Sequence, residues 1–349
     1  MGHRKRSAPR RGSLGVRPRK RAASIIPRIR SWPVLGTQEV KLLGFMGYKV
    51  GMSHAFIIDD RPGSPTEGKE VFTPVTVIET PPMIVAGIRL YGYDPNRGKY
   101  SLTEAWAPVD VLKSAGIDRL VKRFMYTGET KAKLDRAESL LDEAVDVRAI
   151  MMAQPKLTGG VPKKTPELIE IALSGQSVKD KFAFLAERLG TPMRINEVFE
   201  AGMFVDVIAV TKGKGFQGVV KRFGVKELPR WHKHRKGSRK VGTRGSRVGA
   251  LSTTPQAGQT GFHQRVDYNK RIIMIGVVRE EEDPREIINP PGGWHKYGLV
   301  RSDFVVLAGS VPGPRKRPIF LRYPIRKTPW TPTGAPKITY LDTGHFLKP

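Results

Sequence analysis

The feature that most constrains this chain is positive charge concentrated in two segments that carry almost no acid. Residues 1–38 contain 11 Lys/Arg and no Asp or Glu, and residues 211–265 contain 14 Lys/Arg and one acid, Glu227. The formal net charge of the whole chain is +29. Because uncompensated cations repel one another, each segment requires a polyanionic partner. Nucleic acid phosphate fits that requirement best.

The second segment also lacks the pattern of a helix or a strand. Residues 228–263 contain only six large apolar side chains, which follow neither a 3.6-residue nor a 2-residue period. Such a stretch cannot bury enough apolar surface to offset the entropy lost on ordering. We therefore predict that residues 1–38 and 228–263 are disordered in the free protein and become ordered on RNA.

The composition excludes several function classes. The absence of cysteine excludes a disulfide scaffold and any Cys-ligated zinc or iron–sulfur site. No apolar run approaches the roughly 18 residues that suggest a membrane span. The chain has no Ser/His/Asp or paired-carboxylate arrangement that spacing identifies, and no P-loop order around Gly213–Gly215. We therefore expect no enzyme activity, catalytic residue, metal, cofactor, small-molecule substrate or membrane partner.

The remaining residues predict a mainly β body. β-branched and aromatic runs predict strands over residues 41–48, 52–58, 73–79, 83–91, 168–173, 203–210, 271–278, 304–308 and 319–322, with a turn at 49–51. Apolar residues at helical spacing predict helices over 134–150 and 177–189, the second capped by Ser177.

These patterns divide the chain into four parts. They are a basic arm (residues 1–38), a β body (39–94 and 201–349), an α+β insertion (95–200) and a basic loop (211–265) inserted in the body. The arm and the loop are the candidate nucleic-acid-binding segments, because Lys and Arg pair with phosphate. Their candidate phosphate ligands are Arg4, Lys5, Arg6, Arg10, Arg11, Arg17, Arg19, Lys20, Arg21, Lys212, Lys214, Lys221, Arg222, Arg230, Lys233, Arg235, Lys236, Arg239, Lys240, Arg244, Arg247 and Arg265.

Two aromatic features of the basic loop have alternative interpretations. His232 and His234 flank a lysine, and the surrounding cations disfavour a divalent metal, so contact with RNA is the better interpretation. Trp231 and Phe262 either stack on unpaired bases or anchor the base of the loop through apolar contacts. The sequence leaves these two alternatives open.

The most specific motif runs from Phe199 to Arg222. Its fixed positions are Phe199, Asp206, Ala209, Thr211, Gly213-Lys214-Gly215, Gly218 and Arg222. This spacing resembles the signature of the universal large-subunit ribosomal protein L3 family. Three further stretches resemble its archaeal type: the arm from His3 to Arg21, Gly47–His54, and Ala257-Gly258-Gln259 with Gly261-Phe262-His263.

The resemblance implies a fold and a set of partners. The body is expected to be a six-stranded translation-protein-type β-barrel, and the arm and loop are expected to thread into large-subunit ribosomal RNA beside neighbouring ribosomal proteins, in the cytoplasmic ribosome. The loop tip, at about residues 244–256, is expected to lie near the peptidyl-transferase centre, with Ser252 where many eukaryotic relatives carry Trp. The resemblance adds Ser252, Gln256, Gln259 and His263 to the candidate RNA-binding residues.

Two other classes of protein carry similar charge. A DNA-packaging or architectural protein needs charge with little sequence reading, but such proteins are usually short, whereas this chain has 349 residues. An RNA-modifying enzyme with basic tethers would need a cofactor or metal pocket, for which the sequence has no fingerprint. We therefore expect a structural constituent that supports assembly of the large ribosomal subunit.

Overall fold

The computed structural model describes residues 9–114, 116, 129–231, 233–242, 253–278, 285–326, 332 and 334–343. The chain divides into two compact units, which we describe separately. The smaller unit comprises residues 1–25 and 210–265, and the larger unit comprises residues 26–209 and 266–349. The described residues are mainly β with few, short helices, as the sequence predicts. Within these ranges, no helix has the length and apolar character needed to cross a membrane.

The secondary structure elements are numbered in chain order. The strands are β1 (Gly44–Ile58), β2 (Glu70–Glu79), β3 (Met83–Asp94), β4 (Gly98–Trp106), β5 (Asp146–Ala153), β6 (Glu167–Ala172), β7 (Pro192–Met193), β8 (Phe204–Val210), β9 (Gly213–Gln217), β10 (Gly258–Gly261), β11 (Gln264–Gly276), β12 (Phe304–Ala308), β13 (Pro318–Arg322) and β14 (Ile338–Leu341). The helices are α1 (Val109–Ser114), α2 (Thr130–Ser139), α3 (Val178–Glu187), α4 (Val219–Phe223) and α5 (Arg285–Ile288).

The first sheet of the larger unit has seven strands in the order β13-β8-β11-β12-β2-β1-β14, and β13 also pairs with β1. Strand β1 joins the sheet together, because its first part pairs with β13 and its second part pairs with β14. The predicted turn at residues 49–51 is wrong. The strand instead continues through a register shift between Lys49 and Gly51. Such a bulge bends a strand without ending it. At this bulge the Lys49 side chain is buried, and its ammonium donates to the carbonyl of Val311 at 2.6 Å.

The second sheet of the larger unit has the order β4-β3-β5-β6, and β7 also pairs with β3. The predicted helix over 134–150 is wrong in its second half, where β5 begins at Asp146 and pairs with both β3 and β6. The apolar run in β5 is buried on both faces, and periodicity alone does not distinguish such a strand from a buried helix. The second predicted helix is confirmed as α3, and the Ser177 hydroxyl accepts the Asp180 N–H as its cap.

A buried ion pair fixes the first sheet where β8 faces β13. The carboxylate of Asp206 and the guanidinium of Arg322 lie 2.7 Å apart, with 0% and 2% of their side chains exposed. Asp206 also accepts the backbone N–H groups of Asn269 and Ile325. Arg322 donates to the carbonyl of Ser31 at 2.7 Å. The pair therefore links β8, β11 and β13 to the segment around Ser31, near the start of the larger unit.

We predict that Asp206→Ala lowers the free energy of unfolding by about 3–5 kcal/mol, because it leaves a buried guanidinium without its counter-charge. The control is Asp142→Ala, which removes the exposed partner of Lys179, a pair with 85% and 69% of its side chains exposed. Its expected cost is less than about 1 kcal/mol. Denaturant unfolding measures both, and equal losses in the two variants would contradict the role assigned to Asp206.

Candidate nucleic-acid interface

The smaller unit holds most of the net charge of the protein. Residues 1–25 and 210–265 contain 23 Lys/Arg and a single acid, Glu227. Glu227 is engaged by Ser238 and lies 3.8 Å from the guanidinium of Arg239. The unit itself therefore supplies almost no negative charge to offset its cations.

A short β-ribbon and one helical turn form the frame of this unit. Strands β9 and β10 pair antiparallel, and α4 follows β9 directly. Gly261 closes the ribbon at φ 72°, where a Cβ atom would lie 2.0 Å from the carbonyl oxygen of Lys212. Helix α4 ends at Gly224, which adopts the left-handed conformation at φ 62°. A side chain is therefore excluded at Gly261, and the left-handed conformation favours glycine at Gly224.

Arg222 joins helix α4, the returning limb of the basic loop and the basic arm. Its Nε donates to the carbonyl of Gln259 at 2.9 Å, its Nη1 to the carbonyl of Gln256 at 2.9 Å, and its Nη2 to the carbonyl of Arg19 at 3.2 Å. Arg19 returns a hydrogen bond from its Nη1 to the carbonyl of Arg222 at 2.8 Å. The planar guanidinium therefore fastens α4, the returning limb of the basic loop and the basic arm together.

Further contacts hold the arm against the loop. Arg265 donates to the carbonyls of Val16 and Pro18, and Arg10 donates to the carbonyl of Thr253. Gly12 lies against the ring of Phe223, where a Cβ atom would come within 2.5 Å of the ring. In the described part of this unit few apolar side chains are buried, among them Val219 and Phe223, so these contacts contribute much of its order.

Residues 9–25 and 253–263, which the sequence analysis predicts to be disordered in the free protein, contact one another in the structure. The backbone N–H of Ala22 donates to the carbonyl of Phe262 at 2.8 Å, in addition to the arginine contacts. An analysis of apolar periodicity cannot detect order that arises from guanidinium–carbonyl bonds. The basic arm and the basic loop therefore interact directly in these ranges.

His263 is a structural residue of this frame. Its Nδ1 lies 2.8 Å from the carbonyl of Lys20, and its Nε2 accepts the N–H of Gly261 at 3.0 Å. These partners require a neutral ring with the proton on Nδ1. Burial is the largest cause that lowers the pKa of His263, and the neighbouring arginine charges lower it further. His263 therefore stays uncharged at neutral pH.

The predicted cations fall into two groups by burial. Arg17, Arg19, Arg222 and Arg265 are half-buried. The other described candidates have exposed side chains, and they are Arg10, Arg11, Lys20, Arg21, Lys212, Lys214, Lys221, Arg230, Lys233, Arg235, Lys236, Arg239 and Lys240. Arg19, Arg222 and Arg265 of the first group donate to backbone carbonyls within this unit. Exposed Arg10 and Arg11 also donate to carbonyls, and the other exposed cations present their charge to solvent.

Seven predicted site residues lie outside the described residues: Arg4, Lys5, Arg6, His232, Arg244, Arg247 and Ser252. Of the two remaining glutamines, Gln259 also donates from its Nε2 to the carbonyl of Gly261 at 3.0 Å. The side chain of His234 is half-buried. Among the described residues, no group of three or more His, Asp or Glu is arranged to hold a metal ion.

The aromatic residues Trp231 and Phe262 differ in how exposed their side chains are. Trp231 is 85% exposed, so it does not anchor the base of the loop. Phe262 is half-buried, and the Arg21 guanidinium lies 5.5 Å from the centre of its ring. Sequence analysis missed Phe216, which is 76% exposed on β9, and the cation Lys226. The position of Phe216 beside Gly213-Lys214-Gly215 is the signal that identifies it.

We predict that Arg222→Lys loosens the arm, because an ammonium cannot reproduce three fixed bonds to three carbonyls although it retains the charge. Amide hydrogen exchange at Ala22 in the free protein should become faster. Lys221→Gln is the control: it removes an exposed charge from the same helical turn and should leave that amide protected. Unchanged protection in Arg222→Lys would show that the guanidinium does not hold the arm.

Comparison with known proteins identifies the family. Residues 1–344 match the family described as Ribosomal protein L3. A large ribosomal subunit protein uL3 from Aeropyrum pernix is 53% identical over 349 residues, covering 98% of both chains. Proteins of the same name from Sulfurisphaera tokodaii and Saccharolobus islandicus are 50% and 48% identical, again over 98% of both chains. The resemblance seen in the signature from Phe199 to Arg222 therefore extends along the whole chain, which belongs to the ribosomal protein L3 family.

Proposed function

We propose that the protein is a structural constituent of the large ribosomal subunit and that it binds ribosomal RNA through the smaller unit. The observation that carries this proposal is a unit with 23 cations and one acid, in which arginines bond to backbone carbonyls. Bonds from guanidinium to carbonyl fix the arginines without cancelling their charge, since a carbonyl is a dipole and not an anion. Phosphate is the ligand that supplies the missing negative charge.

The exposed lysines around the β-ribbon are the proposed phosphate ligands. Lys212 and Lys214 flank Gly213, and Lys221 extends from α4, all with exposed side chains. Phe216 follows Lys214 on β9 and Trp231 follows Arg230, and both exposed rings are the proposed stacking partners for unpaired bases. A surface of this kind binds irregular RNA, because stacking requires bases that are not enclosed in a duplex.

The remaining expectations follow from family membership and become proposals for this chain. The protein supports subunit assembly in the cytoplasmic ribosome, contacts neighbouring ribosomal proteins, has no catalytic role, and reaches with the loop tip toward the peptidyl-transferase centre. Six strands of the first sheet form a closed barrel, a proposal supported by the pairing of β13 with both β8 and β1. The arm (1–38), body (39–94 and 201–349), insertion (95–200) and loop (211–265) are the proposed domains.

We predict that replacing Lys20, Lys212, Lys214 and Lys221 together with Gln weakens the salt dependence of RNA binding. The slope of log K against log salt should fall by about three, because each lost phosphate contact removes roughly 0.7–0.9. The measurement is a salt titration with RNA purified from large ribosomal subunits.

The matched control removes the same charge from the larger unit. Lys69, Lys131, Lys156 and Lys179 are also exposed, and replacing all four with Gln should change the slope by less than about one. If both quadruple variants lower the slope equally, RNA binding is spread over the whole protein and the assignment to the smaller unit is wrong.

A further inference from the structure

The smaller unit contains a concavity of about 650 Å³ between the arm and the returning limb of the loop. Arg17, Arg19, Lys20, Arg222, Phe223 and Gln256 contribute to its wall. Its volume falls within the range of about 300–1,000 Å³ that is typical of small-ligand sites. Because the arm forms one wall, the concavity exists only when the arm is fastened to the loop.

The electrostatics of the concavity favour an anion. Arg17, Arg19 and Arg222 are close enough for their charges to repel one another, and the sequence places a single acid in the entire unit. Burial is the main cause that lowers the pKa of Arg222, and the charges of Arg19 and Arg17 lower it further. Three carbonyls hold Arg222 in place despite this repulsion, so the positive potential is built into the frame.

One wall of the concavity is also suited to a flat ring. The guanidinium of Arg19 lies over the ring of Phe223, 4.2 Å from its centre, and the guanidinium of Arg222 lies 5.2 Å from the same centre. Guanidinium planes and aromatic rings are the side-chain surfaces on which unpaired nucleobases stack. Gln256 and Thr254 also line the concavity, and an amide and a hydroxyl can both donate and accept hydrogen bonds at the edge of a base.

We propose that this concavity binds one unpaired nucleotide of an RNA strand, with its phosphate toward the arginines and its base against the Arg19–Phe223 stack. This proposal rests on the proposed function, since it assigns to the RNA-binding unit one pocket and one kind of ligand. The proposal also implies that nucleotide binding requires the arm to be docked against the loop, because the arm forms one wall of the pocket.

The test uses the full-length protein, a 12-nucleotide single-stranded RNA of mixed sequence and a blunt duplex of the same length. Phe223→Leu removes the ring, and Ala257→Leu fills the concavity, and neither variant changes the charge. Each is expected to lower single-strand affinity by about tenfold, in line with the usual contribution of one stacked base, and to change duplex affinity by less than about twofold. Phe223→Tyr, which keeps a ring, should bind the single strand like the original protein.

Exchange protection at Ala22 serves as the check on folding. If Phe223→Leu exposes that amide, Ala257→Leu alone decides, because it leaves the contact between Gly12 and Phe223 in place. Unchanged single-strand binding by Ala257→Leu would overturn the pocket, while steep salt-dependent RNA binding by the same variant would leave the proposed function standing. Equal losses for single strand and duplex would also overturn it, since they indicate a backbone phosphate without a base.

Discussion

The hydrogen bonds from Arg222 to three backbone carbonyls are the interaction on which the smaller unit depends. One planar group joins α4, the returning limb of the loop and the arm, so it supplies the order that an apolar core supplies elsewhere. The guanidinium suits this task because its donors are fixed in a plane and its charge persists when it is partly buried. The same bonds leave the charge uncancelled, and the frame is therefore both ordered and strongly cationic.

In the larger unit, by contrast, several arginines are paired with carboxylates. The buried guanidinium of Arg322 faces the carboxylate of Asp206, and in the second sheet the half-buried Arg89 forms ion pairs with Glu104 and Glu170. Cations that already face carboxylates gain little from a phosphate. The signature from Phe199 to Arg222 contains a residue of each kind. Asp206 neutralises the charge of Arg322 in the first sheet, whereas Arg222 bonds to neutral carbonyls and keeps its positive charge.

The sequence predicts a large part of this architecture, and its errors have physical causes. Strand β12 matches the predicted range 304–308 because its Phe-Val-Val-Leu run has strong strand preference. The sequence predicts a helix where β5 lies, because a strand buried on both faces has no alternating pattern. In the smaller unit, composition identifies the cations but not their roles. Arg222 and Lys221 are adjacent and both basic, yet one binds three carbonyls and the other is exposed. That difference depends on tertiary contacts with residues that lie 34, 37 and 203 positions away in the sequence.

The same charges make salt act on this protein in two opposing directions. Salt screens the repulsion among Arg17, Arg19 and Arg222, which favours the docked arm of the free protein. Salt also lowers the free energy gained when counterions leave the RNA, which weakens binding. In the proposed complex with RNA, phosphate groups would screen this repulsion, so docking of the arm would depend least on added salt when RNA is bound. In the proposed complex, RNA phosphate would therefore stabilise the docked arm, because it would relieve the repulsion among these arginines.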